Sequence, residues 1–253
     1  MISSLRWWPA PVLLALTLVV AACSEEVEPR TELVVSAAAS LTDVFEQIGA
    51  RFESTHDGIE VVFNFGGSSA LREQILAGAP ADVFASANQS NMDDIVAAGL
   101  VGDGPDYFTA NLLEIAVPPG NPAGVAGLED FAREELFLGL CAEGVPCGDL
   151  AREALAAADV EPAADTSEPD VRALLAKVES GELDAGITYV TDVRAADGRV
   201  DGIEIPAREN VATLYPIAVL SGGEHPQPAA EFVDFVLSDV GQSILLEYGF
   251  SRR

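Results

Sequence analysis

The chain has 253 residues, of which 49% are hydrophobic, and its 41 acidic residues outnumber its 13 Lys and Arg to give a net charge of −28. A surface this acidic argues against nucleic acid and anionic lipid head groups as partners. The length is enough for one large domain or two modest ones, each with its own hydrophobic core.

The first 22 residues have the pattern of a secretory signal. An apolar run over 12–22 is too short to span a membrane and ends in small residues. The residues Val20-Ala21-Ala22-Cys23 resemble a bacterial lipoprotein signal, in which the cysteine is acylated and becomes the first mature residue. An ordinary cleaved signal with an incidental cysteine is the alternative. We expect a signal peptide over 1–22, lipidation at Cys23, and a tether over 23–30 that anchors the protein outside the cytoplasmic membrane.

After the tether, strand and helix patterns alternate, which predicts an α/β architecture with a mostly parallel sheet. Apolar runs predict strands at 33–35, 61–65, 81–85, 112–117, 136–141, 185–189 and 212–220. Apolar residues at helical spacing predict helices at 41–52, 70–77, 89–98, 128–131, 150–158, 229–237 and 240–247, with another beginning at Pro169. The strand at 185–189 is expected to lead into a loop.

Two breaks in this pattern predict two lobes. The proline-rich segment 118–122 interrupts the chain after a strand, and Pro216 lies in a later strand, where it indicates an edge or a bend. We therefore expect the chain to cross over twice. The predicted lobes are 31–115 plus 214–253 for the first and 116–213 for the second.

The stretch 32–52 joins the first strand to the first helix through three alanines and Ser40. A helix N-terminus offers unpaired N–H groups and a partial positive charge, and so can bind an anion. Ser40 can instead be a plain N-cap, with Asp43 completing a capping box. The same order of strand, small-residue turn, serine and helix recurs at Ser68, which Ser69 follows.

Further donors are predicted in the second half of the chain. They lie at the helix starts Cys147-Gly148 and Asp170-Val171 and at Tyr189, where a strand ends. If the halves face each other across a cleft, these neutral donors suit a fully ionised tetrahedral oxyanion. Such a site disfavours phosphate, which keeps a proton at neutral pH, relative to sulfate, molybdate and tungstate. This requires that Asp43 and Asp170 point away.

Seven segments in order resemble the substrate-binding proteins of bacterial molybdate ABC importers: 35–41, 63–75, 78–87, 145–148, 170–174, 186–189 and 248–250. The resemblance covers nearly the whole mature chain. It implies a two-lobed, type II periplasmic-binding-protein fold that closes on molybdate or tungstate and presents the ion to a membrane permease. It also implies the ligand contacts, which are the hydroxyls of Ser40, Ser68 and Tyr189 and the backbone N–H groups of Cys147 and Val171.

Two cysteines remain once Cys23 is lipidated. Cys147 stands where a small, alanine-like residue is common in the family. Cys141 and Cys147 lie six residues apart across one turn, which suggests a disulfide in an oxidising compartment. Two buried free thiols are an alternative; a metal site is another, but it lacks further ligands because both histidines lie in other segments.

An enzyme is the weaker alternative. The segment 66–70, Gly-Gly-Ser-Ser-Ala, is a near miss for the nucleophile elbow of a serine hydrolase because it lacks the final glycine. His56 and His225 both lie in turns and make poor general bases. We therefore predict a monomeric binding protein without catalytic residues, cofactor or metal cation. A receptor for sulfate or another tetrahedral oxyanion is the nearer alternative.

Overall fold

The computed structural model describes residues 30–252. The predicted signal peptide, the lipidation at Cys23 and the tether up to residue 29 lie outside this range. Within it, no helix combines the length and the apolar character needed to cross a membrane.

The described chain alternates strands and helices, as the sequence predicts. The strands are β1 (Thr31–Ala38), β2 (Ile59–Gly66), β3 (Val83–Ala85), β4 (Asp106–Val117), β5 (Leu138–Cys141), β6 (Thr166–Glu168), β7 (Ala185–Tyr189), β8 (Asp201–Glu204) and β9 (Ala212–Val219). The α-helices are α1 (Thr42–Glu53), α2 (Ser68–Leu76), α3 (Gln89–Ala97), α4 (Pro146–Ala157), α5 (Val171–Glu179), α6 (Val190–Ala195), α7 (Pro226–Leu237) and α8 (Asp239–Glu247). Short 3-10 helices span Ala39–Leu41 and Leu128–Ala132.

The helix α1 illustrates how the pattern becomes packing. Its buried residues Val44, Phe45, Ile48 and Phe52 recur at helical spacing and face the sheet. A Cβ at Gly49 would lie 2.7 Å from the ring of Phe63 on β2, so the glycine lets helix and sheet approach closely. This packing fixes where the N-terminus of α1 sits at the end of β1.

The strands form one mixed sheet in the order β2-β1-β3-β9-β4-β7-β5-β6, with β8 paired to β4. The pairs β1/β2, β1/β3, β5/β6 and β5/β7 are parallel. The pairs β3/β9, β4/β9, β4/β7 and β4/β8 are antiparallel. Each half of the sheet is thus a parallel group edged by one antiparallel strand, and the long strands β4 and β9 join the halves.

The hydrophobic core divides along the same line. One large cluster draws on residues 33–108 and 215–250, and another on residues 113–205 together with Ala39. The division falls within β4 and just before β9, close to the predicted lobe boundaries. The boundaries themselves remain a prediction, and we use "first lobe" and "second lobe" for the parts that they separate.

Two local predictions in the second lobe are wrong, and two short strands there were not predicted. Tyr189 leads directly into α6 rather than into a loop. The helix α5 begins at Val171 with Asp170 as its N-cap, so Pro169 precedes the helix instead of opening it. The strands β6 and β8 were not predicted, because β6 has only three polar or charged residues and Ile203 is the one apolar side chain among the four residues of β8.

Pro216 was predicted to mark an edge or a bend, and the edge interpretation is wrong. Strand β9 lies between β3 and β4, and both neighbours pair with it. Pro216 faces Tyr107 where the β4/β9 register shifts between Tyr107 and Thr109. A proline lacks the N–H of a regular ladder, and a bulge is the place where an interior strand tolerates this loss.

Candidate functional site

Ser40 lies just after the C-terminal end of β1, in the 3-10 helix Ala39–Leu41, and its side chain is buried. The alternative that Ser40 caps α1 is wrong, because the N-cap is Leu41 and no side chain caps that helix end. Asp43 completes no capping box and instead forms an ion pair with Arg172. The hydroxyl of Ser40 is therefore not committed to its own helix.

A chain of hydrogen bonds leads to Ser40. The Asn111 side-chain oxygen accepts from the Leu112 N–H at 3.0 Å, which orients its NH2 group toward the Tyr215 hydroxyl at 3.4 Å. The Tyr215 and Ser40 hydroxyls lie 2.9 Å apart. With Asn111 donating to Tyr215, the Tyr215 proton can go to Ser40, and the Ser40 proton is left for another acceptor.

Ser68 presents its hydroxyl in the same way. It is the first residue of α2 and is buried, and its Oγ accepts from the Ala87 N–H at 3.0 Å. A hydroxyl that accepts in this way still has its proton to donate. Ser68 thus keeps a free O–H proton, and Ser40 keeps one when Tyr215 is the donor in the hydrogen bond that they share.

In the second lobe, Cys147 lies at the N-terminal end of α4, directly after Pro146. Its N–H is among the first groups of the helix, which have no partner within it. A disulfide joins Cys141 at the end of β5 to Cys147, with the Cα atoms 5.7 Å apart. A Cβ at the next residue, Gly148, would clash with the carbonyl oxygen of Ala142, so the turn needs a glycine there.

Val171 opens α5, and its neighbour Asp170 occupies the N-cap. The Asp170 carboxylate accepts from the N–H groups of Arg172 and Ala173, both at 2.9 Å. This leaves the Val171 N–H outside the cap. The cap also holds the Asp170 carboxylate against the helix through one of its oxygens, Oδ1.

Tyr189 ends β7 and is buried; its hydroxyl lies near that of Tyr215, but among the described residues it forms no hydrogen bond of normal geometry. Burial raises the pKa of Tyr189 well above its usual value, and the nearby Tyr215 and Asp192 raise it further. The phenol is therefore protonated at neutral pH. A buried hydroxyl without a partner costs about 1–3 kcal/mol, which an acceptor placed beside it would recover.

The structure brings all five predicted contact residues together around one cavity between the lobes. The lining residues are Ala38, Ala39, Ser40, Gly66, Gly67, Ser68, Ala87, Val145, Pro146, Cys147, Asp170, Val171 and Tyr189. The volume open to the centre of a water molecule is about 10 Å3. Adding a water radius of ~1.4 Å gives a space roughly 5–6 Å across, the size of one small ion rather than of an organic solute.

The lobes touch at two further places beside this cavity. The Arg172 guanidinium reaches from α5 to Asp43 and to the carbonyl oxygen of Ala39, the latter at 3.4 Å. A Cβ at Gly67 would overlap the carbonyl oxygen of Pro169, so the two backbones meet closely there. The described conformation is thus a closed one.

Asp192 lies behind the cavity on α6 and is fully buried. Its carboxylate accepts from the Tyr189 N–H at 3.1 Å, and its other oxygen lies 3.7 Å from Nε of Arg172. Burial raises its pKa to about 7, against the opposing effect of the Arg172 charge. Sequence reasoning missed Asp192, Arg172, Asn111 and Tyr215, because none of them lies at a small-residue turn.

The alternatives of a metal site and of a serine hydrolase find little support in residues 30–252. No group of three or more His, Cys, Asp or Glu side chains is placed there to hold a metal ion. His56 stacks on Phe52 with ring centroids 3.9 Å apart, and His225 directly precedes α7. Neither histidine lines the cavity.

Comparison with known proteins places the chain among solute receptors. A family model described as bacterial extracellular solute-binding protein matches residues 33–251. The molybdate-binding protein ModA of Mycobacterium tuberculosis is 37% identical over 220 residues, which cover 87% of this chain and 84% of that protein. The putative ABC transporter substrate-binding lipoprotein YvgL of Bacillus subtilis is 30% identical over 243 residues, covering 92% and 94%.

Among solved structures, the periplasmic molybdate-binding protein of Azotobacter vinelandii superimposes with a TM-score of 0.77. The match covers 87% of this chain and 99% of that protein at 18% sequence identity. At this identity the similarity speaks for the fold alone. The predicted two-lobed periplasmic-binding-protein fold is thereby confirmed.

Proposed function

The chain belongs to the bacterial extracellular solute-binding proteins, in the molybdate-binding group that serves ABC transporters, and on this premise we propose that it captures molybdate or tungstate in the interlobe cavity. Its relatives are solute-binding proteins and not enzymes. The proposal concerns the ligand of this chain, the residues that hold it and the fate of the bound ion.

One observation carries the proposal: the Tyr189 hydroxyl is buried beside an ion-sized cavity and lacks a partner among the described residues. The other proposed contacts are also neutral donors, namely the hydroxyls of Ser40 and Ser68 and the N–H groups of Cys147 and Val171. A dianion fits this set because each of its oxygens can accept hydrogen bonds. No formal positive charge has to be buried against it.

The same donors favour an ion that carries no proton. Asp170 is the one carboxylate among the lining residues, and its Oδ1 is held in the cap of α5, while Asp43 lies outside the lining and pairs with Arg172. A proton on the ligand would therefore meet mostly donors in this lining, which leaves that proton poorly satisfied. Phosphate keeps a proton at neutral pH, so we expect it to bind more weakly than molybdate.

We further propose that the protein acts as a monomeric lipoprotein outside the cytoplasmic membrane. Acylation at Cys23 would tether it there, and the permease of an ABC importer would receive the bound ion. The name of the Bacillus subtilis relative, which calls it a substrate-binding lipoprotein, supports the anchor. Labelling with a radioactive fatty acid tests it: the wild type should incorporate label and Cys23→Ala should not.

A thermal-shift panel tests the ligand. Molybdate, tungstate, sulfate and phosphate are added separately to the full chain at neutral pH. A ligand that binds only the folded state stabilises it by about 2.7 kcal/mol at a hundred times its Kd. We expect a rise in Tm with molybdate and tungstate and little with phosphate. A rise with sulfate alone would make the protein a sulfate receptor and overturn the proposal.

A further inference from the structure

Arg172 connects the two lobes without lining the cavity. It stands second in α5, directly after Val171, and so belongs to the second lobe. Its guanidinium donates to the Asp43 carboxylate and to the Ala39 carbonyl oxygen, both in the first lobe. Because these contacts span the cleft, they exist only when the lobes are closed.

The contacts join groups that are partly shielded from water. The side chain of Arg172 is 25% exposed and that of Asp43 is 42% exposed. An ion pair at this depth contributes modestly to folding, since exposed pairs are screened by solvent. The same interaction enters the equilibrium between open and closed forms directly, because the pair exists only in the closed form.

We propose that Arg172 and Asp43 form an interlobe clasp that stabilises the closed form independently of the ligand. The inference rests on the proposed function of the cavity and adds a role for two residues outside it. A clasp of this kind sets the fraction of binding-competent protein, and the apparent Kd scales inversely with that fraction. It therefore changes the affinity for every oxyanion by the same factor and leaves the preference among them unaltered.

Asp43→Asn is the cleaner of the two variants. Arg172→Gln would also remove the cation nearest to the buried Asp192, whose carboxylate lies 3.7 Å from Nε, and could lower stability for that reason. Asp43 is accessible, and its replacement leaves Arg172 beside Asp192. Glu46→Gln is the matched control, since it removes one charge from the same exposed turn of α1 at a residue that forms no ion pair within the described range.

Calorimetry with molybdate and tungstate is the first readout. We expect Asp43→Asn to raise both Kd values by the same factor, about 2- to 5-fold, and Glu46→Gln to leave them unchanged. The double variant Asp43→Asn/Arg172→Gln should bind no more weakly than Arg172→Gln alone. The single variant has already lost the ion pair, so the second substitution removes nothing further. Unchanged affinity in Asp43→Asn, unequal factors for the two ions, or fully additive effects would each overturn the clasp.

The second readout uses no ligand and so separates the clasp from the proposed function. Nitroxide labels at Glu60→Cys and Glu182→Cys, one on each lobe, report the interlobe distance distribution by pulsed electron paramagnetic resonance. We expect Asp43→Asn to shift the ligand-free distribution toward the open form. Identical distributions in the labelled parent and in Asp43→Asn would overturn the clasp. If the wild type binds no oxyanion, the proposed function fails while this measurement still decides the inference.

Discussion

At the scale of single residues, the site depends on hydroxyl protons that nothing else in the described chain uses. Tyr189 is the sharpest case, since its buried phenol has no partner there. The Ser68 oxygen accepts from the Ala87 N–H, so its proton remains available, and the Ser40 proton is available when Tyr215 donates to Ser40. These three groups point to an acceptor-only ligand more directly than any charged residue does.

Tyr189→Phe removes the phenol hydroxyl and keeps the aromatic ring. We expect oxyanion binding to weaken by about 1–3 kcal/mol, because one ligand oxygen loses its donor. The Tm of the ligand-free protein should stay the same or rise, since an unsatisfied buried hydroxyl has been removed. Calorimetry and thermal unfolding measure the two effects, with Tyr248→Phe as the control. A lower Tm with unchanged affinity would mean that the hydroxyl is structural.

Ser40→Ala and Ser68→Ala test the serines. Each should weaken binding by about 1–3 kcal/mol, because a ligand oxygen buried on closure loses a partner. Ser69→Ala is the matched control, since Ser69 follows Ser68 in α2 but does not line the cavity. Affinity equal to the wild type in both serine variants would remove them from the site.

Asp192 makes stability depend on pH in a defined direction. Its pKa in the fold, about 7, lies above the ordinary value of 3.8, so the folded state binds the proton more tightly. The resulting stabilisation is fully present below the ordinary value and is lost as the pH rises toward 7. Asp192→Asn removes this pH-dependent contribution to stability while keeping an acceptor for the Tyr189 N–H. Its Tm relative to wild type should therefore rise between pH 5 and pH 7; a constant difference would contradict the pKa shift.

At the scale of elements, the strand-turn-helix units could be predicted because each is determined by the pattern of neighbouring residues in the sequence. β1 with α1 and β2 with α2 have apolar runs, small turns and helical spacing in consecutive residues. β8 could not be predicted, since it is short, mostly exposed and held by pairing with β4. The interior position of β9 was missed for a similar reason. Pro216 is tolerated there because the β4/β9 register shifts opposite it, and this shift depends on how the two strands pair.

The candidate site divides in the same way. Ser40, Ser68, Cys147, Val171 and Tyr189 could be found at strand ends and helix starts, with the help of the family resemblance. Tyr215 and Asn111 reach the site from the middle of β9 and β4, and only the folded sheet brings them beneath Ser40. The Arg172–Asp43 pair spans 129 residues of sequence, and nothing local marks it.

Gly67 tests how closely the turn before α2 must approach the second lobe. Its backbone, with φ −60° and ψ 133°, suits any residue, so Gly67→Ala should fold normally. The added Cβ would overlap the Pro169 carbonyl oxygen across the cleft and hinder closure. We expect weaker molybdate binding without a loss of Tm. Gly222→Ala, where a Cβ meets open space, is the control; wild-type affinity in Gly67→Ala would show that closure tolerates the methyl group.

The disulfide belongs to the turn between β5 and α4, which presents the Cys147 N–H. Closing so short a loop contributes roughly 2 kcal/mol to stability by the loop-entropy estimate. The Cys141→Ala/Cys147→Ala variant should therefore unfold at a lower denaturant concentration. It should also bind molybdate more weakly, because the turn that presents the Cys147 N–H is less rigid. A thiol assay on the unfolded, unreduced protein checks the premise, since two reactive thiols would contradict the disulfide.

At the scale of the whole molecule, the protein is acidic yet is proposed to bind an anion. Its net charge of −28 opposes an approaching dianion, but salt screens this field beyond about 8 Å. Within the cavity, helix N-termini and hydroxyls act at contact distance. In the proposed function, closure would bury the ion between two lobes that are joined through β4 and β9. The global charge and the local site therefore operate at different ranges.

The central claim is that this interlobe cavity binds one fully deprotonated tetrahedral oxyanion through neutral donors. Calorimetric titration of the full chain at neutral pH, with molybdate, sulfate and phosphate in parallel, tests it most directly. We predict one molybdate per chain, tight binding, and markedly weaker binding of phosphate. Absence of molybdate binding, or phosphate binding as tight as molybdate, would contradict the account.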